Sequence, residues 1–281
     1  MPNIQELEDI SIQIRRDIVR MVHANSSGHP GGSLGCVEFF VALYFKILNH
    51  NTNFNMNGIN EDIFFLSNGH ISPVFYSVLS RSGYFDVSEL ASFRKINSRL
   101  QGHPTPHEGL EGVRMASGSL GQGLSTAIGA AHTKKLNNDE SIVYALTGDG
   151  ELQEGQIWEA LMYASAKNID NLIATIDYNQ KQIDGPIDEV LPLGNLTAKL
   201  KAFDWIVVEE YQGNKIDAVI NTLNRAKELT KQGKPVAIIL HTEMGNGVDY
   251  MMGTHKWHGS APNDKQLAAA LLQNPETLGD Y

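Results

Sequence analysis

Apolar residues at Leu7, Ile10, Ile14, Ile18 and Val22 recur every three or four positions, which predicts a helix over residues 7–26. The turn SSGHPGGS ends it, and Ser33 is placed to cap a second helix over 34–48, in the run LGCVEFFVALYFKIL. DIFFLS at 62–67 reads as a short strand, and NGH turns the chain into a helix at 71–82. Residues 88–96 read as a short helix, and 97–118 as a polar loop rich in glycine and proline.

From residue 119 the element types alternate. SLGQGLSTAIGAAHTKKL reads as a helix of small residues, SIVYALT (141–147) as a buried strand, and 153–168 as a helix with Ile157, Leu161 and Ala164 on one face. Strands follow at 171–177 (NLIATID), 205–210 (WIVVEE) and 235–240 (PVAIIL), with a helix over 214–231 between the last two. Continuous apolar strands separated by helices predict an α/β fold, three layers deep, with a largely parallel sheet covered on both faces. We read residues 1–281 as one domain ending in a short polar tail.

Composition narrows the classes. A formal charge of -10 and scattered Lys and Arg argue against a nucleic-acid surface. Cys36 is the single cysteine, which excludes an intrachain disulfide and fits a buried structural thiol. The acidic N-terminus lacks a secretory pattern, and the apolar run at 34–48 is too short to span a bilayer, so no membrane role and a cytoplasmic location are expected.

Ligands of such folds gather beyond the carboxyl ends of the strands. Asp149, Asn179, His70 and His241 all follow strands and are predicted to share that edge. Asp149 sits between Gly148 and Gly150 at the start of a loop leading to a helix, where a carboxylate can meet a hard cation and free N–H groups a phosphate. Asn179 offers an amide oxygen 30 residues later, one helix-and-strand crossover away. Alone, GDG is an ordinary turn; paired with DYNQKQIDG it becomes a candidate magnesium and phosphate site. Neither a P-loop nor a dinucleotide G-x-G-x-x-G follows any strand.

Seven segments then appear in order: SGHPGG (27–32), LSNGH (66–70), QGHP (101–104), SGSLGQG (117–123), GDGELQEGQIWEA (148–160), DYNQKQIDG (177–185) and HKWHGSAPN (255–263). On these the chain, from about residue 10 to about 262, resembles the N-terminal, diphosphate-binding part of transketolase, in the form of a separately encoded subunit. The resemblance implies thiamine diphosphate with Mg2+ or Ca2+ as cofactors. It assigns Asp149, the Asn179 side-chain oxygen and the Lys181 backbone carbonyl to the metal, and the Gly150 N–H to the diphosphate. Gly118 and Leu120 would lie beside the cofactor and Ile183 against its thiazolium. Catalytic roles fall on His29, His70, His103 and His258, with His70 and His258 also touching the cofactor. Glu154 matches a glutamate of an acidic link between two active sites at a subunit interface, with Glu159 a candidate to join it.

Without the resemblance each histidine has a plainer reading: a turn hydrogen bond for His29, a helix-start neighbour for His70, solvated loops for His103 and His107, a wedge beside Trp257 for His258. His241 and His255 are candidates for a supporting shell; His23, His50 and His132 receive no role. Glu151 is expected to be solvated or to cap the following helix. The implied activity is transfer of a two-carbon ketol unit between sugar phosphates, with a partner subunit carrying the pyrimidine-binding domain in an α2β2 assembly. Specialised sugars remain an alternative, read by the loops at 104–112 and 250–257, as does a noncatalytic cofactor-binding subunit. The related deoxyxylulose-phosphate synthases share the metal motif, but the combined GHP motifs favour transketolase.

Overall fold

The computed structural model describes residues 2–281. Helix α1 (Ile4–Ala24) opens on a reciprocal cap: Asn3 Oδ1 accepts from the Glu6 N–H at 3.1 Å, and Glu6 Oε2 accepts from the Asn3 N–H at 2.7 Å. Its predicted stripe, Leu7 to Val22, is buried.

The apolar run at 34–48 is not one helix. It breaks into α2 (Pro30–Gly35), α3 (Val37–Ala42) and a π turn (Leu43–Ile47). Gly35 presses on the loop beyond, where a Cβ would lie 3.0 Å from the Glu243 carbonyl oxygen, and Cys36 leaves helical geometry at ψ 7. Ser33 caps nothing: Pro30 starts α2, and the Ser33 hydroxyl inside that helix donates to the His29 carbonyl at 2.7 Å.

Next come β1 (Ile63–Leu66), α4 (Ser72–Arg81), α5 (Gln122–Leu136), β2 (Val143–Gly148), α6 (Gly155–Ala166) and β3 (Leu172–Tyr178). A two-residue hairpin follows, β4 (Lys181–Gln182) with β5 (Gly185–Pro186), then α7 (Ile187–Val190) and α8 (Leu196–Ala202). The chain closes with β6 (Ile206–Glu210), α9 (Ile216–Glu228), β7 (Val236–His241) and α10 (Asp264–Gln273). In place of the short helix predicted over 88–96, the chain forms a 3-10 turn over Val87–Ser92.

The sheet runs β1-β2-β3-β7-β6, and every neighbouring pair is parallel. Side chains alternate between two cores. Tyr144 and Leu146 face the layer of α1, α3, α4 and α9, whereas Val143 and Ala145 face α5, α6 and α8. Both faces are apolar, which is why the strands read as continuous hydrophobic runs.

The region predicted as a polar tail contains α10, which packs on α1 and starts with its own reciprocal cap between Asn263 and Gln266. Beyond it, the Thr277 and Leu278 N–H groups donate to Gln13 Oε1 at 2.9 and 3.0 Å. Four buried ion pairs brace the scaffold: Arg81–Asp17 at 2.7 Å, Lys134–Asp139 at 2.7 Å, Arg114–Glu61 at 2.8 Å, and Arg15–Glu38. Among the described residues, no helix is long and apolar enough to cross a membrane.

Candidate active-site cleft

The loops after β1, β2, β3 and β7 bound a cleft of about 330 Å3 at the carboxyl edge of the sheet. Asp149, Asn179 and His70 reach it as their positions after strands predicted. His241 does not. It shares the edge but sits aside, stacked on Tyr211 with centroids 4.4 Å apart and bonded to Glu209 at 3.0 Å.

Asp149 is 2% exposed. Its carboxylate accepts from the Gly150 N–H at 2.8 Å and from the Gln180 N–H, so the two loops close on it. Burial, and then the neighbouring Asp177 charge, push its pKa up to about 8. Asp177 is itself fully buried and sets the Asn179 amide: Asn179 Nδ2 donates to Asp177 Oδ2 at 2.8 Å. That leaves Asn179 Oδ1 as the free-facing acceptor, now taking the Lys181 N–H at 2.9 Å.

These residues fit a hard cation bridged to a diphosphate. The donors are oxygens, the carboxylate is desolvated without an ion-pair partner, and the walls carry two buried acceptors with no partner, Asn68 Oδ1 and Gln182 Oε1. No group of three His, Cys, Asp or Glu side chains among the described residues forms a cage of its own. A cation here therefore needs backbone carbonyl and phosphate oxygens to complete its shell. The Lys181 ammonium points elsewhere and pairs with Glu243 at 3.2 Å.

Three imidazoles form a triangle over the same cleft. Ring centroids lie 5.2 Å apart for His29–His70, 5.6 Å for His29–His258 and 5.0 Å for His70–His258. Residues from distant segments meet because Gly31 lets them: its N–H donates to the Trp257 carbonyl at 3.0 Å, where a Cβ would come within 2.8 Å of that oxygen. The Gly245 N–H in turn donates to the Gly31 carbonyl at 2.9 Å.

Burial holds all three rings neutral. His29 is lowered to about 4 by burial first, then by His258, Arg94 and His103. His70 is held well below the ordinary range by burial and its histidine neighbours, and His258 is lowered chiefly by burial. His29 Nδ1 and His258 Nδ1 are buried without a hydrogen-bond partner. His103 stands at the rim, more exposed, 6.3 Å from His29 between ring centroids, and Gly118 packs against its ring.

Gly118, Leu120, Gly150 and Ile183 all line the cleft, with Ile183 exposed at its mouth. Glu154 is exposed on the rim at the start of α6, and Glu159 is exposed one turn on. His255 lies one turn before His258, and its carbonyl accepts the His258 N–H at 2.9 Å, whereas His50 is taken up by Tyr84 and the Tyr44 carbonyl.

Glu151 overturns its expectation. It is neither solvated nor a cap of α6, which begins four residues later after a 3-10 turn over Gly150–Gln153. It is 2% exposed and takes hydrogen bonds from Ser67, Gly121 and Gly148. Its donors lie as far as 84 residues away, so no local pattern could have found it.

Comparison with known proteins agrees with this geometry. The family described as transketolase, thiamine diphosphate binding domain, matches residues 8–274. An apulose-4-phosphate transketolase subunit of Actinobacillus succinogenes is 37% identical over 268 residues, covering 95% of both chains. The 6-deoxy-6-sulfo-D-fructose transketolase subunit of a Clostridium species is 34% identical, covering 95% of this chain and 97% of its own. A crystal structure of Pichia stipitis transketolase superposes with a TM-score of 0.90 at 30% identity, covering 99% of this chain but 42% of that one. With the fold, the cleft and these matches in agreement, the chain belongs to the transketolase family, as its N-terminal, thiamine diphosphate-binding part.

Proposed function

We propose that this chain is the diphosphate-binding subunit of a transketolase-type transferase that moves a two-carbon ketol unit from a ketose phosphate to an aldose phosphate. One observation carries the reading: desolvated hard-oxygen donors, Asp149 and Asn179, open into the same cleft as a triangle of neutral imidazoles with centroids 5.0–5.6 Å apart. A pure binding module has use for the first set but not for the second.

In this reading Mg2+, replaceable by Ca2+, is held by Asp149, Asn179 Oδ1 and the Lys181 carbonyl, and the Gly150 N–H turns to the diphosphate. Gly118, Leu120 and Ile183 flank the ring end of the cofactor. Thiamine diphosphate, when bound, supplies the nucleophilic carbon and the electron sink that cleavage of a ketose C–C bond requires. The chain's own residues orient and shuttle. His70 and His258 donate hydrogen bonds toward the cofactor and the substrate carbonyl oxygen, stabilising negative charge as it develops. His29 and His103 bind substrate hydroxyls, since a neutral imidazole both donates and accepts a hydrogen bond, and relay protons among them.

The pyrimidine-binding domain is assigned to a separate partner chain in an α2β2 assembly, with Glu154 and Glu159 facing the subunit boundary. Support comes from coverage: relatives matched over nearly their whole length are named as subunits, whereas the Pichia enzyme is matched over 42%. A second reading, a specialised sugar substrate, is favoured by the names of those same relatives, which specify apulose 4-phosphate and a 6-deoxy-6-sulfo sugar.

The test is co-purification with the candidate partner, calorimetric titration with thiamine diphosphate and Mg2+, and ketol-transfer assays over a panel of ketose phosphates and aldoses. Metal-dependent binding with transfer by the complex, and none by the lone chain, is expected. Absence of metal-dependent binding by the complex overturns the functional reading; full transfer by the lone chain overturns the partner.

A further inference from the structure

Helix α5 begins beside the cleft without a cap of its own. Its N-cap is Gly121, which has no side chain to accept the first-turn N–H groups, and the helix runs for 15 residues. The acceptors come from elsewhere in the chain. Glu151 Oε1 takes the Gly121 N–H at 2.7 Å, and Ser67 Oγ takes the Gly123 N–H at 3.0 Å. Ser67 Oγ in turn donates to Glu151 Oε1. The second carboxylate oxygen, Oε2, accepts the Gly148 N–H at 3.1 Å.

One buried carboxylate thus joins the end of β1, the end of β2 and the start of α5. Two of these junctions lead directly into the cleft. Gly148 precedes Asp149, and Gly118 and Leu120, which also line the cleft, precede Gly121. A negative charge at a helix N-terminus is favourable, so the capping sets where α5 starts as well as stabilising it.

We propose that Glu151, working with Ser67, is a positioning residue that fixes the distance between the Gly118–Leu120 wall and the Asp149 loop, and so sets the affinity of the cleft for its cofactor. The proposal rests on the functional reading above, because the ligand it concerns is thiamine diphosphate with its metal. Glu151 borders the cleft, but its carboxylate is occupied by Ser67, Gly121 and Gly148, and in this reading it acts through the two loops it holds. Outer residues that orient a binding shell are worth 10–100-fold in affinity in comparable sites.

The experiment compares the wild-type complex with Glu151→Ala, Glu151→Gln and Ser67→Ala, each with the partner chain. Titration with thiamine diphosphate at saturating Mg2+ is expected to show affinity lowered about tenfold by Glu151→Ala and about threefold by Ser67→Ala. Glu151→Gln should fall between wild type and alanine, because its amide oxygen still serves Gly121 while its NH2 opposes the Gly148 N–H. At saturating cofactor, kcat should stay within about twofold of wild type, and hydrogen exchange at Gly121 and Gly123 in the chain alone should quicken about tenfold. Lower thermal stability with unchanged cofactor affinity in the glutamine and serine variants overturns the proposal, as that is what capping alone would give. If the alanine variant does not fold, those two variants carry the same decision. Failure of the wild-type complex to bind cofactor instead overturns the functional reading, and this proposal with it.

Discussion

The buried charges of the scaffold and those of the cleft are treated differently. Behind the sheet, Asp17 is 0% exposed and meets Arg81 through two hydrogen bonds, 2.7 and 2.9 Å, and Ser77 through a third at 2.7 Å. In the cleft, Asp149, Glu151 and Asp177 are as deeply buried, yet what holds them is backbone N–H groups, hydroxyls and an amide. The nearby Lys181 ammonium is engaged by Glu243. Asp17 thus has its countercharge within the chain, although not every scaffold acid does: the buried Asp62, just before β1, is held by the N–H groups of Asn49 and Ile142. Asp149 adds to its burial the lack of an ion-pair partner and a place on the cleft wall, the combination that suits an acid to meet a cation from outside.

Mutations on the two sides should separate stability from binding. The largest effect is expected for Asp17→Ala, which strands the buried Arg81 guanidinium. A loss of about 3–5 kcal/mol is expected from breaking one partner of such a pair, a fall in Tm on the order of 10 °C by calorimetry. Cofactor affinity of the molecules that remain folded should be unaltered.

Asp149→Ala should do the opposite. Metal-dependent thiamine diphosphate binding by the complex should weaken by about 100-fold or more, while Tm of the metal-free chain drops far less than for Asp17→Ala. Equal losses of stability at the two positions would erase the distinction between scaffold and cleft.

A smaller effect concerns pH. His29 sits at about 4 in the fold against 6.5 for the free side chain. Between those values the unfolded chain binds the proton and the folded chain does not, so the contribution is whole above pH 6.5 and is lost as pH falls toward 4. The full gap corresponds to roughly 3 kcal/mol, and screening of a half-buried ring reduces it to about 1–2 kcal/mol. Urea unfolding across that pH range should show a shallower slope for His29→Gln than for wild type.

Least affected should be Lys181→Met. Removal of its partly exposed pair with Glu243 should cost about 0–1 kcal/mol, and cofactor affinity should change by less than about threefold, since only its carbonyl is assigned to the metal. A loss approaching that of Asp149→Ala would show that its ammonium serves the diphosphate after all.

Much of this arrangement was legible in the chain itself. Strands with both faces buried announce themselves as apolar runs, so β1, β2, β3, β6 and β7 fall within two residues of their predicted places. Asp149 and Asn179 were found because GDG and DYN stand at the ends of such strands, whereas His29, His258, Gly118, Leu120 and Ile183 were found only through the family resemblance. Failures came where contacts bridge long separations. The break at Cys36 lies where the Glu243 loop comes close to Gly35, and the burial of Glu151 depends on donors on other elements; neither leaves a local trace. Helix α10 did leave one, the Asn263-x-x-Gln266 capping pair, which the polar reading of the tail passed over.

The strand order carries a consequence for synthesis. β7 is the last strand made, yet it lies inside the sheet, between β3 and β6. Until residues 236–241 leave the ribosome, β6 has no neighbour and β3 keeps an open edge. A nascent chain, growing at about 5–20 residues per second, therefore carries an unpaired β6 and an open edge on β3 for several seconds. The same final segment brings Gly245, Trp257 and His258 to the Gly31 loop, so the cleft is completed by the step that closes the sheet. Chains cut short before β7 should lack the histidine triangle and present sticky strand edges, which makes them clients for chaperones and proteases.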